Sequence, residues 1–106
     1  MVGNTLEVTL ARVPALTAAT GSLTHGPTNT FIVNLGQAVY RAFSNICPHA
    51  SCGVSGFDGR AMICPCHGSE FNPTTGARTA GPATTGLTPR PVTLDSAAGI
   101  LRVQIA

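Results

Sequence analysis

Apolar and polar side chains alternate along several short stretches of this chain. In residues 6–10 every second residue is apolar, and parts of residues 30–35 and 38–43 follow the same pattern. A period of two is typical of a β-strand with one buried face, and these stretches are bounded by glycine or proline. The predicted strands cover residues 6–10, 30–35, 38–43, 61–64, 91–94 and 100–105.

The same pattern gives little support to helices. No long window carries an apolar stripe at helical spacing that is free of glycine and proline. The alanine-rich run at residues 15–20 is the one weak helical candidate, and we predict a loop there. We therefore predict an all-β chain. Its 106 residues are close to the usual size of one domain and can form a single core.

Charge excludes one class of function. Only 9% of the residues are charged, the net charge is +2, and every basic residue apart from histidine is an arginine. The arginines are spread along the sequence and form no basic stripe. Nucleic-acid binding therefore has no support.

The residues that can carry chemistry lie in two short segments. Cys47-Pro48-His49 and Cys64-Pro65-Cys66-His67 together form the pattern C-x-H…C-x-x-H. Two cysteines and two histidines in two loops are what a Rieske [2Fe–2S] centre needs, because two histidines replace two cysteines on one of its irons. Neutral imidazoles make the site less negative than an all-cysteine cluster, which raises its reduction potential.

A zinc site and a pair of plain disulfides are the alternatives for these residues. A tetrahedral Cys₂His₂ zinc site would leave Cys52 and Cys66 unexplained, and zinc modules seldom use a C-x-H pair at this spacing. Two disulfides would leave His49 and His67 without a role. The Rieske interpretation is favoured over both.

Residues 47–52 and 64–69 resemble the two cluster-binding boxes of Rieske proteins, in the disulfide-containing branch found in cytochrome bc-type complexes and their relatives. Residues 81–83 resemble the proline-containing loop of that branch, which covers the cluster from a third side. The resemblance implies one Rieske domain, residues 1–106, with an antiparallel β-sandwich base. The base would comprise residues 1–43 and 87–106, and a cluster-binding subdomain would be inserted at residues 44–86.

The resemblance also implies one [2Fe–2S] cluster per chain, held by four metal ligands. Two thiolates would bind the inner iron and two imidazoles the outer iron. The implied ligands are Cys47, Cys64, His49 and His67. Cys52 and Cys66 would form a disulfide that ties the two loops together, and the Ser69 hydroxyl would bond a bridging sulfide.

The chain departs from the family pattern at several positions. Phe71 stands where many high-potential members carry a tyrosine that bonds a ligand sulfur. Ala50, Ser51 and Thr84 stand where quinol-oxidising members commonly have leucine, glycine and a second proline. These three positions concern docking at a quinol site, whereas the cluster itself does not need them.

The function implied by the resemblance is one-electron transfer, as a component of an oxidoreductase complex rather than as a self-contained enzyme. The first expectation is the soluble head of a bc-type quinol-oxidising respiratory complex or a related extracytoplasmic protein. The alternative is a small subunit of a periplasmic, arsenite-oxidase-like oxidoreductase. The expected partners are a cytochrome c-type acceptor, cytochrome b or a larger catalytic subunit, and quinol. A dioxygenase ferredoxin is less expected, since those proteins generally lack the disulfide pair.

The implied disulfide favours an extracytoplasmic location, because reducing systems in the cytosol act against disulfides. Residues 1–20 show no basic segment followed by an apolar core, and Glu7 and Arg12 interrupt any hydrophobic run. No stretch approaches the roughly 20 apolar residues of a membrane span. We expect a protein attached to the membrane through an anchor that is absent from this chain.

Overall fold

The strands of the chain form three antiparallel sheets. The computed structural model describes residues 3–18, 20–36, 38–45, 53–54, 56–65, 68–81 and 85–105. The strands are β1 (Thr5–Thr9), β2 (Ser22–His25), β3 (Thr30–Asn34), β4 (Tyr40–Ser44), β5 (Gly56–Phe57), β6 (Met62–Ile63), β7 (Glu70–Phe71), β8 (Arg78–Ala80), β9 (Pro89–Arg90), β10 (Val92–Asp95) and β11 (Ile100–Gln104).

The first sheet has the strand order β1-β11-β10. Leu6 and Val8 of β1 face Val103 and Leu101 of β11 across the ladder, and all four side chains are buried. The intervening Glu7 is exposed. The strands predicted at residues 6–10 and 100–105 are therefore confirmed. Their side chains alternate because one face of this sheet covers the core and the other faces solvent.

The second sheet has the order β2-β3-β4-β9 and is covered on both faces. All five residues of β3 are buried. Phe31 and Val33 belong to one hydrophobic core, while Ile32 between them belongs to another. Phe43 and Ala42 of β4 divide between the two cores in the same way. Successive side chains of a strand point to opposite faces, so this central sheet separates the two cores.

The two cores differ in the elements that they join. One lies between the first and the central sheet and consists of Leu6, Val8, Leu16, Ile32, Tyr40, Ala42, Leu101 and Val103. The other lies between the central and the third sheet and consists of Phe31, Val33, Phe43, Val54, Met62, Cys64, Phe71 and Leu87. The second core contains the cysteine of the second motif.

The third sheet has the order β5-β6-β7-β8 and lies within residues 56–80. Its strands are two or three residues long, and the pairing of β7 with β8 is irregular between Glu70 and Phe71. The antiparallel sheets confirm the predicted all-β fold. The boundaries predicted between base and inserted subdomain stay a prediction.

The prediction of a loop at residues 15–20 is wrong for residues 15–17. A one-turn helix, α1, covers Pro14–Thr17, preceded by a 3₁₀ turn at Leu10–Arg12. Proline at the helix start has its φ preset and needs no donor there. Leu16 is fully buried, and the Asn34 side-chain amide donates to the Leu16 carbonyl at 3.0 Å. Tertiary contacts therefore stabilise a helix that local periodicity does not indicate.

Among the residues described, no helix has both the length and the apolar character that crossing a membrane requires.

Candidate metal centre

The second motif lies in the tight connection between β6 and β7. Cys64 directly follows β6 and Ser69 directly precedes β7. The Cys64 amide donates to the Ser69 carbonyl at 2.9 Å, and the Gly68 amide donates to the Cys64 carbonyl at 3.0 Å. Gly68 has a φ of +76°, a conformation that glycine adopts at little cost. These bonds close the turn and fix the position of Cys64.

Cys64 and Ser69 are both buried at the root of this turn. Their exposed fractions are 1% and 0%. Cys64 shares its core with Val54, Met62 and Phe71, so the sulfur lies next to apolar side chains. An apolar shell restricts solvent access to a metal site and thereby influences its reduction potential. The site can thus present a thiolate to a metal from within the protein.

Phe71 is fully buried in the same core as Cys64. Its ring packs within the layer that supports the cysteine turn, on a strand that pairs with the strand leading to Cys64. Because the ring has no hydroxyl, it contributes packing and no hydrogen bond. The departure from the family pattern at this position therefore removes a possible donor near the site.

The stem of the first motif is anchored beside the same core. The Val54 amide donates to the Asn45 carbonyl at 2.7 Å, and the Asn45 amide donates to the Asn29 carbonyl at 2.8 Å. Asn45 and Val54 are buried, and Val54 packs in the core that contains Cys64. The segment 46–52, which carries the first motif, therefore leaves and re-enters the described fold at neighbouring points.

Gly81, which directly follows β8, packs closely against the cysteine turn. A Cβ atom placed on Gly81 would lie 2.5 Å from Ser69 Cα and 3.0 Å from the Gly68 carbonyl oxygen. The φ of Gly81 is +88°. Arg78 donates from Nη1 to the Gly81 carbonyl at 3.1 Å, which ties this segment back to β8. Glycine is required at residue 81 both for its conformation and for its proximity to Ser69.

The β5–β6 connection is held by the carboxylate of Asp58. The backbone amides of Arg60 and Ala61 both donate to Asp58 Oδ1 at 2.8 Å. These bonds, from Ala61 first and then from Arg60, lower the pKa of Asp58 below its ordinary value. The ionised carboxylate therefore stabilises the turn that starts β6.

The structure describes two of the predicted site residues. Cys64 and Ser69 lie at the two ends of the turn, as given above. The other predicted ligands and the predicted disulfide partners lie outside the described residues, and their roles stay predictions; they are Cys47, His49, Cys52, Cys66 and His67. The resemblance placed Gly81 in a loop near the cluster, but neither its close approach to Ser69 nor the hydrogen bond from Arg78 was predicted from sequence.

Comparison with known proteins identifies the family. A family model described as the Rieske [2Fe-2S] domain matches residues 8–93. Over 60 residues the chain is 42% identical to a Haloferax mediterranei protein whose name describes a Rieske subunit of a respiratory nitrate reductase. That match includes 56% of this chain and spans only 27% of the relative's length.

Solved structures share the fold. The ferredoxin of carbazole 1,9a-dioxygenase from Nocardioides aromaticivorans IC177 superposes with a TM-score of 0.77 at 20% identity, over 98% of this chain and 100% of that one. At this identity the similarity shows the fold alone. The plasma membrane Rieske protein PetC3 from Synechocystis PCC 6803 gives a TM-score of 0.62 at 25% identity, over 77% of this chain and 82% of that one.

The described part of the site fits an iron–sulfur cluster. Cys64 offers a soft thiolate ligand in an apolar shell, and the Gly68–Ser69 backbone is held close to it by the turn. The family model matches residues 8–93, a range that includes both cysteine–histidine motifs of this chain. The chain therefore belongs to the Rieske [2Fe–2S] domain family, whose members hold one [2Fe–2S] cluster and transfer electrons.

Proposed function

We propose that this chain is the one-electron relay of a respiratory oxidoreductase, passing electrons between a larger catalytic subunit and a second redox partner. The observation that carries the proposal is the buried Cys64 within a chain that is 42% identical, over 60 residues, to a protein named as a nitrate reductase Rieske subunit. A [2Fe–2S] cluster supplies a site that gains and loses one electron at moderate potential.

The described residues hold the thiolate ligand in place and keep water from it. The backbone of Cys64 is held by hydrogen bonds with Ser69 and Gly68, and its side chain is buried in the apolar core. Phe71 fills the space behind the sulfur without offering a donor. Hydrogen bonds to the sulfurs stabilise the reduced cluster, and one such bond is absent when residue 71 is phenylalanine. We therefore expect a midpoint reduction potential below that of the high-potential members.

Four ligands are proposed for the cluster: Cys47, His49, Cys64 and His67. The two histidines would face the partner, because the Cys64 end of the site is buried. We propose a disulfide between Cys52 and Cys66, and hence an extracytoplasmic location of the domain beside a membrane-attached complex.

Metal analysis and voltammetry test the relay. The holo-protein should contain about two irons and two acid-labile sulfides per chain. Its midpoint should lie in the lower half of the range of about −150 to +300 mV that Rieske centres span. Zinc without sulfide would contradict the proposal. Thiol labelling followed by mass spectrometry should find Cys52 and Cys66 protected until a reductant is added.

The head of a bc-type quinol-oxidising complex is the second candidate. The cysteine pair at residues 52 and 66, which is typical of that branch, supports it. A midpoint near the upper end of the Rieske range would favour this candidate over the relay. Ala50 and Ser51, which replace leucine and glycine at the docking tip, argue against it.

A further inference from the structure

An arginine side chain lies in a surface cavity at the end of the central sheet. The cavity has a volume of about 500 Å³ and is open to solvent. Its polar lining comprises Ser44, Thr88, Arg90 and Gln104, and prolines flank the arginine on both sides. Arg90 belongs to β9, the short edge strand of the sheet. None of these lining residues is a predicted cluster ligand.

One side of the Arg90 guanidinium is already used. Its Nη1 donates to the Ile105 carbonyl at 2.6 Å, which holds the group against the end of β11. Its Nε is buried and has no hydrogen-bond partner within the described chain. A buried donor without a partner is unfavourable. The remaining edge, formed by Nε and Nη2, is one of the two edges through which arginine binds planar oxyanions in a bidentate way.

Within the described residues, no acidic side chain forms an ion pair with Arg90. The sequence has four acidic residues, all within the described part, and none of them lines the cavity. Glu7 and Asp95 form ion pairs with Arg102 on the outer face of the first sheet. Asp58 accepts bonds within its own turn. No acidic side chain of the described residues therefore serves as the partner of Arg90, which leaves the group able to accept an anion from solution or from another chain.

We infer that the cavity is a binding site for a carboxylate group. The two carboxylate oxygens would accept from Nε and Nη2 of Arg90, and the hydroxyls of Ser44 and Thr88 would offer further donors at the rim. Because Nε is buried, full pairing requires the guanidinium to turn towards the cavity. A free carboxylic acid and an acidic side chain of a partner subunit share this chemistry.

Nuclear magnetic resonance of the arginine Nε–H groups tests the inference on the ¹⁵N-labelled holo-protein. Acetate should shift the Arg90 Nε–H signal. The shift should saturate, with a dissociation constant in the millimolar range. Arg41 provides the control signal, since its Nη1 also donates to a carbonyl, that of Tyr40 at 3.1 Å, but no serine or threonine lines the cavity beside it. Inorganic phosphate at matched ionic strength should bind Arg90 more weakly than acetate.

Variants of the cavity separate binding from general charge effects. Ser44→Ala and Thr88→Val should each weaken acetate binding by about 2- to 10-fold, the loss expected for one hydrogen bond. Arg90→Lys keeps the positive charge but loses the two parallel N–H donors of the guanidinium. The saturable shift that acetate causes in the backbone amide signals around the cavity should therefore disappear. Arg41→Lys should leave this shift intact. Iron and sulfide content should not change in any variant that folds.

The outcomes are distinct. Acetyl-glutamate amide binding as tightly as acetate would point to a partner's side chain, and weaker binding of this probe would point to a small free acid. Tighter binding of phosphate than of acetate would overturn the carboxylate assignment. A non-saturable acetate shift shared by Arg41 and Arg90, or unchanged binding in Ser44→Ala together with Thr88→Val, would overturn the site.

Discussion

Replacing Gly81 with alanine tests how closely the segment after β8 packs against the cysteine turn. The added Cβ would lie 2.5 Å from Ser69 Cα and 2.9 Å from Ser69 N. Both are backbone atoms, so no side-chain rotation can relieve the contact. Gly99→Ala is the matched control, because Gly99 has a φ of +68° and nothing within 4 Å of its Cβ position.

The two variants share one cost and differ in another. A positive φ costs alanine about 1–2 kcal/mol at either position. The collision with Ser69 adds about 1–3 kcal/mol, the usual cost of forcing extra atoms into a packed region. The reduced freedom of the unfolded chain stabilises both variants alike. Gly81→Ala should therefore lose about 1–3 kcal/mol more free energy of unfolding than Gly99→Ala.

Guanidinium unfolding of the holo-protein measures this difference. Circular dichroism would follow the fold, and visible absorbance would follow the cluster. Incubation times must be equal, since proteins with bound cofactors often unfold irreversibly. In Gly81→Ala the cluster signal should be lost at lower denaturant than in Gly99→Ala. Equal midpoints for the two variants would refute the close packing of residue 81 on the turn.

Three further predictions concern the surroundings of the site. Phe71→Tyr should raise the midpoint potential by about 40 mV if the new hydroxyl donates to a sulfur and the hydrogen bond is about 1 kcal/mol stronger in the reduced than in the oxidised cluster. Ser69→Ala should lower the midpoint potential by a comparable amount. Protein-film voltammetry measures both changes. An unchanged potential in Phe71→Tyr with an intact spectrum would show that the hydroxyl points elsewhere. The pKa of Asp58 is lowered in the fold, so its contribution to stability is present above the ordinary carboxyl pKa and is lost as the pH falls below that value. In the unchanged protein, the denaturant concentration at the unfolding midpoint should decrease as the pH falls below about 4, and in Asp58→Asn this decrease should be smaller. An equally steep decrease in Asp58→Asn would contradict the role of the carboxylate. Arg78→Gln should shift the midpoint potential, because it removes the hydrogen bond that holds Gly81 against the cysteine turn. Arg78→Lys should restore the potential at least in part. A midpoint potential that is unchanged in both variants would exclude a positioning role for Arg78.

The strands of the first sheet could be predicted from the sequence because only one of its faces is buried. Leu6 and Val8 alternate with polar residues, and the structure pairs them with β11 as a half-buried ladder. The central strand β3 was also predicted, within residues 30–35, but all five of its residues are buried, so the partial alternation does not show that both of its faces are covered. Strand β2 was missed, since its residues are mostly polar and only partly buried.

The strands of the third sheet are too short for any periodic signal. β5, β6 and β7 have two residues each, and only β6 was anticipated, as part of residues 61–64. The motif located the second turn, because its cysteine and histidine spacing is specific. The periodic pattern does not indicate its packing, because Gly81 and Ser69, which lie close together, flank two short paired strands, β8 and β7.

The central sheet connects the base to the turn that carries Cys64. Phe31 and Phe43 project from it into the core that contains Cys64 and Phe71, while Ile32 projects into the core of the base. Movement of the cysteine turn would therefore disturb packing on a sheet that is covered on both faces. A site that gains and loses charge benefits when its surrounding groups need not rearrange at each transfer. Burial of Cys64 and Ser69, the two ends of the turn, limits such rearrangement, which is the physical link between the all-β fold and electron transfer.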